Sequence, residues 1–194
     1  MSNSLVVAPR ELVKKPDALS QYIVGFHAEN HGEQFAVAWL GREGAKPTNR
    51  VGLYDSFVFS ARVTFPAIAA ELKRHGKWLP IAWKLEDEEF ATALRDLGCN
   101  VLPAGYDDTP EVARKTMMEI DERISTGSFV VENPGAQAAW RTEAKGFSLK
   151  DGLVPQVGAP LMSATRHAYR HLQFARKVET SMWTPIKYPK RTYA

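Results

Sequence analysis

The sequence predicts a mixed α/β domain, an antiparallel three-strand meander followed by parallel strands, with helices on both faces of the sheet. Three observations predict it. From Tyr22 to Phe59 the apolar residues come in strand-like runs broken by short polar turns. From Phe65 onward the period lengthens to that of a helix. After that, helical stretches alternate with short apolar runs too brief to be anything but buried strands.

The elements follow in order. Tyr22-Ile23-Val24-Gly25-Phe26-His27 reaches a polar tip, turns at Asn30–Gly32 and returns as Phe35-Ala36-Val37-Ala38-Trp39, a β-hairpin. Val51–Phe59 supplies the third strand after a loop at 44–49. Phe65–Gly76 has helical spacing, with Pro66 near its start and Gly76 at its stop. Trp78–Trp83 is a short buried strand. Glu86–Gly98 is a helix whose acidic first turn suits the positive end of its dipole. Asn100–Ala104 is the next strand, and Thr109-Pro110-Glu111 caps a long helix that ends near Gly127. Phe129-Val130-Val131 is short and β-like, 136–144 helical, and 146–158 a loop or small hairpin. A last helix runs from Pro160 to about Lys177. The expected division is an N-terminal arm over 1–20, the folded domain over 21–177, and a basic, aromatic tail over 178–194.

Bulk composition narrows the function classes. The chain has 194 residues, 44% hydrophobic and 24% charged, enough for one core of its own. A net charge of +3 is compatible with nucleic acid without demanding it. Cys99 is the single cysteine, so neither an internal disulfide nor a cysteine-based zinc site is expected, and a reducing cytosol is the natural compartment. No apolar run approaches a membrane span, and the first residues lack the pattern of a signal peptide. Gly41-Arg42-Glu43-Gly44-Ala45-Lys46 does not match a phosphate-binding loop, which excludes a nucleotide-driven motor in this sequence.

The outline is that of ribonuclease H-like proteins. Three local patterns carry a narrower resemblance. They are Val24-Gly25-Phe26-His27 in the first strand, Ile81-Ala82-Trp83-Lys84-Leu85 leading through a helix to Gly98-Cys99-Asn100-Val101, and Ala159-Pro160-Leu161-Met162-Ser163-Ala164-Thr165-Arg166-His167-Ala168 at the last helix. The third is the most specific, because Leu-Met-x-Ala-x-Arg-x-Ala stands intact in it. The segment from Glu119 to Val131 adds a helix–glycine–short strand pattern. Over 22–172 the chain resembles the C-terminal nuclease domain of the phage terminase large subunit. The resemblance implies a pair of divalent metals, Mg²⁺ or Mn²⁺, held by acids at the first strand, the fourth strand and the last helix.

The departures fall where those acids would stand. His27, Lys84 and Ser163 occupy the expected positions, with Ala159 at an extra one. Such a set holds hard cations poorly, since these need charged oxygen ligands. Several readings stay open for the same residues. Glu29, Asp55 and the Glu86–Glu89 segment are candidate replacement acids, although an ordinary acidic helix start explains Glu86–Glu89 better. His27, Glu29 and His31 at alternate positions, with His167 or His171 from the last helix, have the spacing for a transition-metal site. Lys84, His27, Arg166 and Ser163 form a small positive pocket for a phosphate, unless Lys84 pairs with Glu86 or Glu88. In the tail, Lys187, Lys190 and Arg191 are interleaved with Trp183, Tyr188 and Tyr193, a pattern suited to single-stranded nucleic acid or a protein groove.

The expected function is a catalytically degenerate terminase-nuclease-like module of phage or prophage origin. It would act in the bacterial cytoplasm without a cofactor, binding DNA through Lys84, Arg166, Lys187, Lys190 and Arg191, or binding packaging proteins such as the portal or the ATPase subunit. The alternative is a Mg²⁺- or Mn²⁺-dependent endonuclease with relocated acids. A third possibility is a purely structural protein with no salt-dependent DNA binding.

Overall fold

Runs of apolar residues at alternate positions commit the first part of the chain to strands. β1 (Gln21–Glu29), β2 (Gln34–Arg42) and β3 (Val51–Ser60) pair antiparallel in sequence order. β4 (Ile81–Ala82) lies parallel to β1 and β5 (Phe129–Val131) parallel to β3, so the sheet order is β4-β1-β2-β3-β5. The computed structural model describes residues 19–29, 34–44, 49–60, 63–105, 107–132, 137–146 and 158–178. The expected turn at Asn30–Gly32, most of the 146–158 loop, the arm up to residue 18 and the tail from residue 179 lie outside these.

Paired residues on neighbouring strands share a face of the sheet. Val24 pairs with Trp39, Phe26 with Val37 and Ala28 with Phe35, which defines one face. α1 (Phe65–Leu72) and α2 (Glu88–Asp96) cover it. Phe35 meets Phe90 at 5.1 Å and Phe65 at 5.9 Å between ring centroids, both edge-on, and Phe26 stacks on Phe35 at 5.8 Å. Ile23, Gly25 and His27 point to the other face, where α5 (Pro160–Arg170) lies across β1 and β2. α3 (Pro110–Ser125) and α4 (Ala138–Gly146) close over α5 from outside. Trp140 donates its indole N–H to Thr165 at 2.8 Å, and the Arg123 guanidinium sits 5.7 Å over the Tyr169 ring. Enclosed between sheet and helices, α5 is buried at every position from Pro160 to Ala168.

The seat of α5 is Gly25. A Cβ there would stand 1.8 Å from the Ala164 carbonyl oxygen and 2.8 Å from the Ala168 nitrogen, so only glycine lets the helix backbone lie on the strand. Ala159 has no side chain with which to cap the helix. Glu143 on α4 does so instead, accepting from the Met162 N–H at 2.7 Å and the Leu161 N–H at 3.2 Å.

The sequence expectations fail mainly at the short elements. The strand expected over Trp78–Trp83 contracts to Ile81–Ala82, because Pro80 ends the ladder and Tyr22 pairs instead with Arg176. The strand expected over Asn100–Ala104 is a single parallel bridge from Val101 to Ile81, and Pro103 two residues on cannot extend it. The helix expected from Glu86 begins as a 3-10 turn, Leu85–Asp87, before α2. The last helix stops at Arg170 rather than Lys177. A 3-10 turn at Leu172–Phe174 then brings Arg176 back to β1, with Tyr22 N–H to Arg176 O at 2.8 Å and the reciprocal bond at 3.0 Å.

Gly25→Val should overpack the α5 seat and cost at least about 3 kcal/mol of stability. Urea unfolding checks this: a midpoint equal to that of the wild-type chain would mean that α5 is not seated as described.

Candidate functional site

His27 sits near the C-terminal end of β1, the end of a parallel pair where sheets of this kind place their sites. It is buried, and its ring meets that of His167 on α5 edge-on at 5.3 Å. His167 donates its Nδ1–H to the Phe26 carbonyl at 2.7 Å, which fixes it over β1. One residue back along α5, the buried Arg166 grips Asp108 with two bonds, Nη2 to Oδ2 at 2.5 Å and Nε to Oδ1 at 3.3 Å. His167 Nε2 lies 3.6 Å from the same Asp108 Oδ2. Asp108 comes from the loop just before α3, where Thr109 accepts the Val112 N–H as the helix cap.

On the β4 side, Lys84 follows the strand and pairs with Glu86 at 2.8 Å. Asp87, in the 3-10 turn, is turned inward; it accepts a hydrogen bond from the Ala28 N–H, and its Oδ2 has no partner among the described residues. His27 Nδ1 and Arg166 Nη1 are likewise buried without a partner among them. Ser163, one turn before His167 on α5, is buried as well. The pocket therefore combines two cations, Lys84 and Arg166, with two carboxylates, Asp87 and Asp108, around two histidines.

Burial sets the protonation states. It pulls the His27 imidazole from its ordinary 6.5 down to about 2, helped by His167, Lys84 and Arg166 and opposed by Asp108. Burial also lowers His167, outweighing the attraction of the Asp108 carboxylate, and lowers His171. Burial raises the Asp87 carboxyl to about 6, against the pull of Lys84 and the Ala28 N–H. At Asp108 burial would act the same way, but the nearby His167 and the bonds and charge of Arg166 hold this carboxyl well below the usual range.

The structure brings together His27, Lys84, Ser163, Arg166 and His167 as the sequence placed them. It separates Asp55 from them. Asp55 pairs with Trp39, whose side chain points to the α1 face, away from His27. There it accepts from His75 Nε2 at 2.7 Å and, at Oδ1, from the Ser56 N–H at 2.8 Å. The cause is ordinary alternation: Asp55 shares a face with Phe57 and Phe59, which pair with Val37 and Phe35, while His27 pairs with Ala36 on the other face. Arg166, expected to contact DNA, is enclosed and committed to Asp108. Of the acidic segment, Glu86 pairs with Lys84 and Glu88 with Arg95, so only Asp87 turns inward. His171 donates to the His167 carbonyl at 3.1 Å rather than joining His27. Among the described residues no three His, Cys, Asp or Glu side chains are grouped to hold a metal. The Glu29 side chain, His31, Lys187, Lys190 and Arg191 lie outside the described residues.

Sequence reasoning missed Asp108, and it named the Glu86–Glu89 segment without singling out Asp87 in it. The available signal for Asp108 was position: Asp107-Asp108-Thr109 follows a parallel strand at the end of the sheet where His27 lies. Asp87 was masked by its acidic neighbours.

The sheet order, the parallel strand beside β1 and the helices on both faces define a ribonuclease H-like fold. More narrowly, the fold is that of the large terminase nuclease domain. The chain is similar to the P22 large terminase nuclease domain, with a TM-score of 0.70 and 19% identity over 84% of this chain and 87% of that one. The g2p large terminase nuclease domain of bacteriophage SPP1 with bound Mn gives 0.60 and 15% over 79% and 87%. The large terminase nuclease of thermophilic phage G20c with bound magnesium gives 0.59 and 13% over 84% and 89%. No protein-family model matches the chain, and no curated protein does.

The residues present do not fit the metal pair of that fold. The Arg166 guanidinium takes both oxygens of Asp108, a lysine ammonium stands near Asp87, and a neutral imidazole occupies the β1 position.

The depressed histidines and the raised Asp87 act on stability in opposite directions. A histidine held below its unfolded value gives stability that is present above pH 6.5 and lost as pH falls toward the folded value. Asp87 gives stability that is present below 3.8 and lost as pH rises through about 6. Chemical denaturation between pH 4 and 6 should therefore show His27→Gln losing less stability on acidification than wild type, by about 1.4 kcal/mol per pH unit. Asp87→Asn should lose more. Parallel curves for all three would contradict the assigned states.

Proposed function

We propose that this chain is a terminase-nuclease-like module that does not cut DNA by the two-metal route, and that it works in phage DNA packaging by binding DNA or a packaging protein. The observation that carries this is the double bond from Arg166 to Asp108. A cation already fills the coordination of the carboxylate held most firmly in its charged form. Displacing it for a divalent metal would strand a buried guanidinium, which costs several kcal/mol. His27 and Lys84 add to the argument, since neither offers the charged oxygen that Mg²⁺ requires. The natural setting of such a module is the cytoplasm of a bacterial host, encoded by a phage or prophage. Among the described residues no helix is long and apolar enough to cross a membrane.

A second reading rests on Asp87. Its unpartnered Oδ2 and its coupling to Asp108 are the features that a relocated acid would have in a metal-dependent endonuclease.

Nicking of supercoiled plasmid in Mn²⁺, with Mg²⁺ and EDTA controls, separates the two. The module should leave the plasmid intact under all three conditions. Cleavage that EDTA abolishes would overturn the proposal, and its loss in Asp87→Asn would locate the rebuilt site.

A further inference from the structure

The buried pocket is a poor place to hold DNA, because its charges are already paired and it lies under side chains. A second surface carries the chemistry that DNA requires. It lies at the opposite end of β1, five residues and about 17 Å from His27. There the turn after α1 presents Lys77 and Trp78 to solvent, with Trp78 53% exposed and the Lys77 ammonium 5.0 Å from the centre of its ring.

This turn is held from both sides. His75 is buried and bonded to Asp55, Leu79 is buried under Gly76, and the Trp78 carbonyl accepts from the Asn100 amide at 2.7 Å. An indole left half in water on a fixed turn has its ordering cost already met, as a stacking platform needs. A chain of contacts ties the turn to the C-terminal segment. The His75 ring meets Tyr54 at 5.3 Å, Tyr54 meets Tyr22 at 5.3 Å, and Tyr22 pairs with Arg176. A bridged pair shares a face, so Arg176 projects on the side of the sheet that carries this turn. Arg176 and Lys177 are exposed, and the sequence runs on from Val178 through Lys187, Lys190 and Arg191. The acids on the elements packed here are Glu71, paired with Arg74; Asp55, bonded to His75; and on α2 Glu88, paired with Arg95, Glu89 and Asp96.

We infer that Lys77, Trp78, Arg176 and Lys177 form a DNA-contact surface, separate from the pocket, that takes a strand with unpaired bases. The cations meet the phosphates and Trp78 stacks on a base. This rests on the DNA-binding part of the proposed function and names the surface that would perform it.

Fluorescence anisotropy with a labelled single-stranded oligonucleotide and its duplex, using the full chain over a series of salt concentrations, tests it. Lys77→Glu with Arg176→Glu should weaken binding on the order of tenfold or more and flatten the salt dependence by roughly two ions. Trp78→Ala should weaken single-strand binding roughly fivefold or more, with a smaller effect on the duplex. Arg114→Glu with Lys115→Glu on α3, a matched charge change elsewhere, should leave binding unchanged. If the wild type binds and the Lys77/Arg176 variant binds as the α3 control does, the surface is wrong. If the wild type shows no salt-dependent binding to either DNA, the DNA reading itself fails and the surface falls with it.

Discussion

Everything about the site follows from a helix backbone lying directly on a strand. At Gly25 there is no side chain, so the Ala164 carbonyl comes as close to β1 as packing allows. That approach fixes the rotation of α5. With Ala164 and Ala168 facing the strand, His167 falls over Phe26 and His27, and Arg166 falls toward the loop before α3. The pairing of Gly25 with small residues four apart on the helix is a steric requirement, and the polar residues ride on it. It leaves the polar cluster free to change chemistry while its geometry stays put.

What occupies that geometry here is a set of charges that compensate one another without a metal. Asp108 answers Arg166, while Lys84 answers Glu86 at the rim and lies near Asp87 within. The two buried histidines stay neutral because burial forbids them a proton. A cluster of this kind keeps a polar interior intact. It has no surplus charge with which to attract a polyanion, and any nucleic acid contact is better sought on the surface.

Much of this was legible in the sequence, for physical reasons that differ from element to element. The three-strand meander was legible because long strands show their period. The Leu-Met-x-Ala-x-Arg-x-Ala pattern was legible because its residues have fixed neighbours: Ala164 and Ala168 rest on Gly25, and Arg166 holds Asp108. The short strands were not legible. Ile81–Ala82 and the bridge at Val101 are defined by what lies beside them rather than by their own composition. Asp55 was misplaced because its face is set by pairing with Trp39, which the β1–β2 register puts beside Val24 and away from His27, and a strand read alone does not show its partner. Asp87 was not told apart from the rest of the Glu86–Glu89 segment because an acidic helix start looks the same whether its side chains face water or the interior.

The pairing of Tyr22 with Arg176 has a consequence for how the molecule comes into being. Among the described strands β1 comes first in the sequence, yet its edge at Tyr22 is closed and its glycine face covered only by the last described segment, with His167 and Phe26 separated by 141 positions. Until that segment is made, β1 must wait with one face and part of one edge bare. Completion of this sheet therefore waits on a late event, the docking of α5 and its trailing turn. A nascent chain stalled before Pro160 would therefore present an apolar sheet to its surroundings, and it is at that stage that a chaperone would find it.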